Sequence, residues 1–374
     1  MTSVRERKAA IDLIYICKCA VKGIAPSKEY LMDLEIDLLY QEANRHMLSA
    51  VVGSVLINAG IEHYKFEKAV ALAQRGTVVF DYELGQVISE LEQAGIWYMP
   101  LKGAVLKNYY PCIEMREMCD IDILIDAERA EDVRTIMERL GYETKSFGLY
   151  NDDDYLKPPM CYFEMHRSLF GDMHDRQLYE YYKDIKSKLL KDEGNECGYH
   201  FSPEDFYIFM IAHEYKHYNL AGTGLRSLLD TYIYLNASDL DMKYVTAETD
   251  KLGITEYEQK NRSLALKLFD GQELSEEESR MMDYIVSSGT YGIYYQNIGN
   301  RIEKAGGTTK YLLRRFWGPL YKNDQYYGYY KRRYPLFYKY PIMLPLLPFY
   351  RLYQVMKKNP GKIKAEINIL RKSK

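Results

Sequence analysis

The sequence predicts an α+β fold in which a small mixed β-sheet is embedded in a mainly helical protein. Between residues 80 and 166, helical and strand patterns follow one another in the order α-β-α-β-α-β-β, which is typical of a small sheet with helices packed on it. The flanking stretches, 8–75 and 175–300, carry mostly the apolar spacing of helices. The four predicted regions are an N-terminal helical region at 1–75, an α/β core at 76–175, a helical domain at 176–300 and a C-terminal segment at 301–374.

Residues with capping side chains place the helices that flank the core. Ser27 is suited to be the N-cap of a helix that continues through Leu39, because a serine hydroxyl accepts a hydrogen bond from the first turn. Ser202, followed by a proline, predicts the start of another helix. In the next helix, Arg226 and Asp230 are four positions apart, and we expect them to pair on one face.

The core is predicted to consist of short alternating elements whose limits are set by Gly, Pro and Asp. They are a helix at 80–95, a strand at 96–99, a helix from 102 to about 109, a strand at 119–125, a helix at 126–140, a strand at 142–144, an acidic loop at 151–154 and a strand at 160–166. Side chains alternate between the faces of a strand, so these limits also predict which residues share a face of the sheet.

Two carboxylates lie in the strand at 119–125. Asp120 and Asp122 are two positions apart within a run of isoleucine and leucine, so both point to one side while Ile121 and Ile123 enter the core. Two like charges this close repel each other, and burying them is unfavourable unless a cation joins them. The natural cation is Mg²⁺, because it prefers hard oxygen ligands and usually arrives with substrate phosphates.

The turn before this strand has the features of an anion site. Lys102 and Gly103 open a helix, where backbone N–H groups and the helix dipole favour a negative charge. Lys102 offers a point charge to a phosphate, and Gly103 lets the backbone approach closely. Arg116 is suited to bind a triphosphate with its fork of donors, or to form an ion pair with Asp120 or Glu114. A metal-binding pair that faces a phosphate site indicates phosphoryl or nucleotidyl transfer.

These motifs, taken in order, resemble the nucleotidyltransferase superfamily, whose catalytic fold is like that of DNA polymerase β. Within it, the chain is similar to a bacterial branch of poorly characterised nucleotidyltransferase-like proteins. The resemblance covers about residues 80–235, and its motifs are Leu101-Lys102-Gly103, Tyr110-Pro111, Arg116, Asp120-Ile121-Asp122, Gly141-Tyr142 and Glu164-Met165-His166. One departure is the phosphate turn, where the wider superfamily has a Gly-Ser pair and this chain has Lys102-Gly103.

The resemblance implies a reaction. An acceptor hydroxyl would attack the α-phosphorus of a nucleoside triphosphate (NTP), pyrophosphate would leave, and two Mg²⁺ or Mn²⁺ ions would stabilise the attacking and leaving oxygens. The branch also suggests a sugar or another small molecule as the acceptor, with nucleic acid or protein as alternatives. Residues 76–175 would then be the catalytic core.

The resemblance also implies roles for individual residues. The residues expected to bind metal and carry the chemistry are Asp120, Asp122 and Glu164, and those expected to bind the triphosphate are Lys102, Gly103 and Arg116. His166 shares a strand face with Glu164, since it lies two positions further on. It is expected to contact phosphate, to orient Glu164, or simply to pack.

A rival motif lies in the helical domain. His213-Glu214-Tyr215-Lys216-His217 matches H-E-x-x-H, in which two histidines one turn apart bind zinc and the glutamate is the general base of a hydrolase. However, the lysine places a positive charge beside the expected ion, and this segment also resembles the nucleotidyltransferase-like branch. The two histidines would then face the nucleotide or the acceptor, or pack in the core. A third class is a non-catalytic protein that keeps the fold and binds a nucleotide or a partner.

The C-terminal segment differs in charge from the rest of the chain. Residues 301–374 hold 18 Lys and Arg against 3 Asp and Glu, although the net charge of the whole chain is −3. Tyrosines among these basic residues, as at 326–333, suit the stacking of nucleic-acid bases, and they equally suit a membrane interface. Docking of the segment onto the acidic body is a further interpretation.

The location of the protein is a separate expectation. The sequence has no run of 18 apolar residues and no secretory signal at its N-terminus, so no membrane-spanning helix is expected. We expect a cytoplasmic protein whose basic segment contacts an anionic surface. A membrane to which the protein attaches peripherally is one such surface.

Overall fold

A small mixed sheet lies within a mainly helical chain, which confirms the predicted α+β class. The structure, a computed structural model, describes residues 4–171, 176–290, 294–324, 326–358 and 366. The predicted C-terminal segment at 301–374 therefore lies partly outside the described residues. The division of the chain into four regions remains a prediction.

The helices ahead of the sheet are α1 (Val4–Lys22), α2 (Lys28–Met32), α3 (Ile36–Arg45), α4 (Ser49–Asn58) and α5 (Tyr64–Gln93). The Ser27 side chain accepts a hydrogen bond from the backbone N–H of Tyr30, which confirms the predicted cap. The expected continuous helix through Leu39 is wrong, because the chain breaks between α2 and α3. Lys8 of α1 holds this break, since its Nζ lies 2.7 Å from the carbonyl oxygen of Asp33 and 2.9 Å from its carboxylate.

Helix α5 is much longer than the predicted helix at 80–95. It has 30 residues, because apolar side chains from Phe66 to Leu91 are buried along its length. Gly95 follows it with a φ of +65°, a conformation that glycine adopts without strain, so the predicted stop is confirmed. The same helix crosses the predicted boundary between residues 75 and 76.

The strands of the main sheet are β1 (Tyr98–Pro100), β2 (Ile121–Ile125), β3 (Glu143–Ser146), β4 (Asp152–Lys157) and β5 (Cys161–His166). Their spatial order is β1-β2-β5-β4-β3, with β2 and β5 parallel and the other neighbours antiparallel. The predicted acidic loop at 151–154 is wrong from residue 152 onward, because β4 begins there. Pairing with β5 and the full burial of Tyr155 outweigh the low strand propensity of aspartate.

The elements between the strands are α6 (Gly103–Leu106), α7 (Ala130–Arg139) and 3₁₀ turns at Lys107–Tyr109, Ile113–Met115 and Ala127–Arg129. The sheet itself has one apolar face. Ile121, Ile123 and Ile125 are buried there in a core shared with α5 and α7, as predicted. Because side chains alternate along a strand, Asp122 and Leu124 face the other way, toward the helical part of the chain.

The elements that follow the sheet are α8 (Arg176–Tyr182), β6 (Leu190–Lys191), β7 (Tyr199–His200), α9 (Pro203–Leu220), α10 (Leu225–Ala237), α11 (Met242–Lys251), α12 (Thr255–Asp270), α13 (Glu276–Ser288) and α14 (Tyr294–Lys304). Ser202 accepts a hydrogen bond from the N–H of Asp205 at the start of α9, which confirms the second predicted cap. A large apolar core joins α1, α3 and α4 to α9, α10 and α12.

The C-terminal segment is made of short helices: α15 (Thr308–Trp317), α16 (Tyr327–Arg333), α17 (Pro335–Lys339) and α18 (Leu347–Lys358). Prolines interrupt it repeatedly, as expected for a residue that lacks a backbone N–H. In the described part of the chain, no helix has both the length and the apolar character needed to cross a membrane.

Candidate active site

The parallel pairing of β2 and β5 brings three predicted residues together. Asp122 is paired with Glu164 in the register of the two strands, so their side chains lie on the same face. His166, two positions after Glu164, also lies on this face, and its Nε2 is 2.8 Å from Oδ1 of Asp122. The same nitrogen is 3.6 Å from Oε2 of Glu164. The third carboxylate therefore lies on the side of the sheet where the sequence predicts it.

Lys102 reaches the two carboxylates from the turn after β1. Its Nζ lies 2.5 Å from Oδ1 of Asp122 and 3.9 Å from Oε2 of Glu164. The turn is closed by a hydrogen bond of 3.2 Å from the N–H of Ala104 to the carbonyl oxygen of Leu101. Lys102 occupies its first central position with φ 46° and ψ −118°, which is the type II′ conformation that glycine prefers. Such a backbone costs about 1–3 kcal/mol in a non-glycine residue, and strain of this kind is concentrated at functional sites.

The charges of this group influence one another. Burial disfavours the charged form of Asp122, but Lys102 and His166 stabilise the carboxylate and together lower its pKa well below the ordinary value. Burial and the neighbouring Asp122 raise the pKa of Glu164 to about 8. The same two causes raise the pKa of Asp120. The three acids thus respond as like charges that share one site.

All seven predicted site residues line one cavity of ≈ 390 Å³. They are Lys102, Gly103, Arg116, Asp120, Asp122, Glu164 and His166. A volume of this size is typical of small-molecule sites. The remaining lining comes mainly from α9, α10 and the turn between them, so the sheet forms one wall of the cavity and helices form the other.

The acidic wall can accept a metal ion. Potential ligand atoms of Asp122, Glu164 and His166 lie within 4.8 Å of one another, and the same is true of Asp152, Asp154 and Glu164. Carboxylate oxygens are the ligands that Mg²⁺ and Mn²⁺ prefer, and the ammonium of Lys102 already shows that the site attracts a cation. Asp120 lines the cavity but belongs to neither of these two groups, so its role as a metal ligand stays a prediction.

Asp152 and Asp154 were missed by sequence reasoning. Each is paired across to β5, Asp152 with His166 and Asp154 with Glu164, so both lie on the acidic face of the sheet. Asp153, between them, points the other way and is buried. The spacing Asp-x-Asp is the same signal that marks Asp120 and Asp122, but it is informative only if the stretch forms a strand.

The helical wall carries positive charge. Lys216 of α9 lines the cavity, and burial together with the nearby Lys102 lowers its pKa to about 8, although Asp152 and Glu164 oppose this. Arg226 of α10 also lines the cavity and donates a hydrogen bond of 3.1 Å to the carbonyl oxygen of Glu117. An acidic wall and a cationic wall thus enclose one space.

Arg116 is buried at the edge of the cavity and joins the core to the helical domain. Its Nε lies 2.7 Å from Oδ1 of Asp230, which also accepts a hydrogen bond of 2.7 Å from the hydroxyl of Tyr110. Asp230 is therefore held by Arg116 and Tyr110. Its pairing with Arg226 stays a prediction. The physical reason is burial, because a buried carboxylate needs a charged partner at close range, and the fold brings Arg116 to it. A triphosphate contact by Arg116 stays a prediction.

Gly103 lies close to the side chain of Met118. A Cβ atom at this position would lie 2.6 Å from Sδ of Met118. Both residues line the cavity, so the absence of a side chain at position 103 leaves room for Met118 beside Lys102. Contact of the Gly103 backbone with a phosphate stays a prediction.

Three residues of the H-E-x-x-H motif, His213, Glu214 and His217, line the cavity. The Nε2 atoms of His213 and His217 lie 3.2 Å apart, and both residues line the cavity. Burial, with the nearby Lys102, lowers the pKa of His213 well below its ordinary value, so its imidazole is neutral. Glu214 is buried and accepts a hydrogen bond of 3.1 Å from Nδ2 of Asn261 on α12. Among the described residues, the motif does not form a group of three potential metal ligands close to one another.

A comparison with models of protein families finds one match for this chain. A family model described as "Uncharacterised nucleotidyltransferase" matches residues 33–270, which is more than half of the chain and includes the sheet and every predicted site residue. A search among curated proteins and solved structures finds no match. On the strength of this family match and of the cavity that the matched residues form, the chain belongs to the uncharacterised nucleotidyltransferase family.

Proposed function

We propose that this protein is a Mg²⁺- or Mn²⁺-dependent nucleotidyltransferase that moves a nucleoside monophosphate from an NTP to a hydroxyl acceptor. In the reaction, the acceptor oxygen forms a bond with the α-phosphorus, and the bond from that phosphorus to the bridging oxygen breaks as pyrophosphate leaves. The observation that carries the proposal is the single cavity with carboxylates on its sheet wall and cations on its helical wall. This arrangement supports a metal-bound triphosphate between the two walls.

Asp122 and Glu164 would hold the metal ion, with Asp120 as a further ligand at the end of the strand. When bound, a divalent ion would neutralise the charge that develops on the phosphate oxygens. His166 orients Asp122 through the contact of 2.8 Å. Glu164 would also take the proton of the acceptor hydroxyl, because it lies on the same wall of the cavity as Asp122.

The cations of the cavity would bind the triphosphate. Lys102 sits beside the carboxylates and would move from Asp122 to a phosphate when a metal ion takes its place. Lys216 and Arg226 would bind from the helical wall, and Arg116 and Gly103 would contact the triphosphate from the turn beside the sheet.

The acceptor is proposed to be a sugar or another small molecule, with nucleic acid or protein as alternatives. The cavity supports a small acceptor, because its volume of ≈ 390 Å³ is in the range of small-molecule sites. We propose a cytoplasmic location, where NTPs are available. The identity of the nucleotide is left to experiment.

One observation favours a second candidate, a non-catalytic nucleotide-binding protein. The ammonium of Lys102 lies between Asp122 and Glu164, so a protein cation already balances the acids that a catalytic metal would need. A protein that keeps this ion pair would bind a nucleotide and not turn it over. The zinc hydrolase has less support, because the motif forms no group of three potential metal ligands among the described residues.

The test is transfer of label from each of the four NTPs carrying ³²P at the α-phosphate. The protein is incubated with Mg²⁺ and with a fractionated cell extract as the source of acceptor, beside Asp122→Ala. We expect one NTP to label one fraction, with the label lost in Asp122→Ala. Equal labelling by both proteins would overturn the assigned site. Tight NTP binding by calorimetry with no labelled product in any fraction would favour the non-catalytic candidate.

A further inference from the structure

The C-terminal segment exposes many apolar and aromatic side chains. Within the described residues, its exposed apolar and aromatic side chains between 336 and 356 are Leu336, Tyr340, Ile342, Met343, Leu346, Phe349, Tyr350, Leu352, Tyr353, Val355 and Met356. The side chain of Ile342 is 89% exposed, the highest value among these residues. We name these eleven side chains the apolar surface. Isolated exposed apolar residues are ordinary, but a contiguous group of them marks a binding surface.

On helix α18, exposed apolar side chains lie along one face. Phe349, Leu352, Tyr353 and Met356 are spaced i, i+3, i+4 and i+7, so they form one stripe along the helix, and all four are exposed. Leu347, at the start of the same helix, is fully buried. An amphipathic helix normally turns its apolar stripe toward the core, whereas α18 turns this one outward.

The elements around the apolar surface hold it together. The rings of Phe337 on α17 and Tyr350 on α18 have centroids 5.3 Å apart. The 3₁₀ turn Pro341–Leu346 between these helices contacts both of them. The exposed side chains therefore belong to one packed unit.

The charge around the apolar surface has one sign. Residues 326–358 contain seven Lys and Arg and no Asp or Glu. Lys331, Arg333 and Lys339 are exposed beside the apolar side chains. An apolar surface with a purely basic border is complementary to an anionic surface that has an apolar interior.

A second cavity, of ≈ 330 Å³, lies on the inner side of α18 and is lined by tyrosines and two arginines. Arg301 donates a hydrogen bond of 2.7 Å to the hydroxyl of Tyr326, and Arg351 donates one of 2.9 Å to the hydroxyl of Tyr330. Over the described ranges, neither arginine has a carboxylate among its hydrogen-bond or ion-pair partners. Two guanidinium groups with only neutral partners are suited to bind a phosphate group.

From these observations we infer that the C-terminal segment binds the surface of a bilayer that contains anionic phospholipids. The apolar surface enters the boundary between headgroups and acyl chains, and the basic border contacts the lipid phosphates. Nucleic acid is a poorer fit, because aliphatic side chains such as Ile342, Leu346 and Leu352 cannot stack on bases as aromatic rings do. A second copy of the chain is also a poorer fit, since pairing the two surfaces would bring two purely basic borders together.

Helix α16 of the C-terminal segment contacts the chain just before β4. Tyr329 of α16 stacks on Tyr150 with ring centroids 5.3 Å apart, and Nε of Arg332 donates a hydrogen bond of 3.1 Å to the carbonyl oxygen of Leu149. Leu149 and Tyr150 immediately precede Asn151 and Asp152, which line the first cavity. The inference on lipid binding stands on its own, whether or not the cavity catalyses transfer.

The experiment is co-sedimentation of the full chain with vesicles of phosphatidylcholine alone and with vesicles that also contain about 30% phosphatidylglycerol, a content chosen to give an anionic surface. The apolar test variant is Ile342→Asp with Leu346→Asp. The matched control is Met32→Asp, because Met32 of α2 is also 89% exposed but lies far from the segment in sequence. The charge test variant replaces Lys331, Arg333 and Lys339 with glutamine.

We expect the chain to bind the anionic vesicles much more tightly than the neutral ones. The Ile342→Asp and Leu346→Asp pair should weaken this binding at least about tenfold, because partitioning scales with the buried apolar area. Each neutralised basic residue should weaken it about fivefold at low salt, and added salt should reduce the difference. The Met32→Asp control should bind like the unchanged chain, and thermal unfolding should show that all variants are folded.

Three outcomes would overturn the inference. The first is no sedimentation of the unchanged chain with anionic vesicles. The second is equal loss of vesicle binding in the Met32→Asp control and in the apolar variant. The third is a dimer or a complex with single-stranded RNA that the apolar variant abolishes while vesicle binding persists, because the surface would then serve another partner.

Discussion

The two walls of the cavity were built by different parts of the chain and differ in what their sequences reveal. The sheet wall carries Asp122, Glu164 and His166, whose positions follow from the alternation of side chains in strands. The helical wall carries Lys216 and Arg226, which no local pattern distinguishes from other helix residues. A regular backbone thus makes the acidic half of the site predictable, whereas the cationic half depends on how the helices pack.

The largest expected effect is on the sheet wall. Asp122→Asn should lower kcat for nucleotidyl transfer by about 10²- to 10³-fold, because loss of one group that stabilises transition-state charge typically has this effect. Transfer is measured with the NTP and acceptor fraction found in the labelling experiment. The control is Asp132→Asn on α7, whose carboxylate is exposed and pairs with Arg129. A full rate in Asp122→Asn would mean that the acidic wall is structural only.

The next effect tests whether Glu214 serves the site or the core. Burial raises the pKa of Glu214 to about 7 from an ordinary value near 4.5. Between these values the folded protein holds a proton that the unfolded chain releases, so stability falls as pH rises through this window and stays low above it. Within the described part of the chain, Glu214 Oε1 and Asn261 Oδ1 are buried without a hydrogen-bond partner. A Gln amide at position 214 would carry no charge, so its burial would not become unfavourable as the pH rises.

Glu214→Gln should therefore stabilise the protein by about 3 kcal/mol at pH 8 and have little effect at pH 4.5. Thermal and denaturant unfolding at the two pH values give this difference. Glu196→Gln is the control, because that side chain is 92% exposed. Unchanged transfer in Glu214→Gln would assign the residue to the core. Stoichiometric zinc that is lost in His213→Ala, together with loss of hydrolytic activity in Glu214→Gln, would instead revive the hydrolase.

A smaller effect is expected on the helical wall. Lys216→Met should raise the dissociation constant of the NTP by about 10- to 100-fold, since a hydrogen bond to a charged group contributes about 1.5–3 kcal/mol. Calorimetric titration measures it. Thermal stability should be kept or raised, because the burial that lowers the pKa of Lys216 to about 8 also disfavours its charged form. Lys183→Met, on the surface beside Glu180, is the matched control. Equal affinity in both variants would remove the helical wall from nucleotide binding.

The smallest expected effect is the stability difference between two variants of Lys102. It distinguishes the contribution of the backbone conformation at this position from that of the ammonium group. Lys102→Gly and Lys102→Ala both remove the charge, but only glycine adopts a φ of 46° without strain. The glycine variant should be more stable than the alanine variant by about 1 kcal/mol. Chemical denaturation of the two variants gives the difference. Equal stability would show that the turn relaxes, and that its shape is not imposed by the rest of the fold.

The sequence alone placed the α+β core, the strand that carries Asp122, the strand that carries Glu164, and the caps at Ser27 and Ser202. These features depend on spacings of two to four residues, which the backbone geometry of strands and helices makes regular. Residues 151–154 could not be read in this way, because aspartate has a low strand propensity and only the pairing with β5 makes residues 152–154 part of a strand.

Only the tertiary structure decided which distant groups meet. It paired Asp230 with Arg116, brought Asn261 to Glu214, and placed Lys216 in the same cavity as the acidic strands. It also turned the apolar stripe of α18 toward the solvent. These results depend on packing and on the neutralisation of buried charge, which act between residues far apart in the chain. Local periodicity carries no information about such contacts, because it describes one segment at a time.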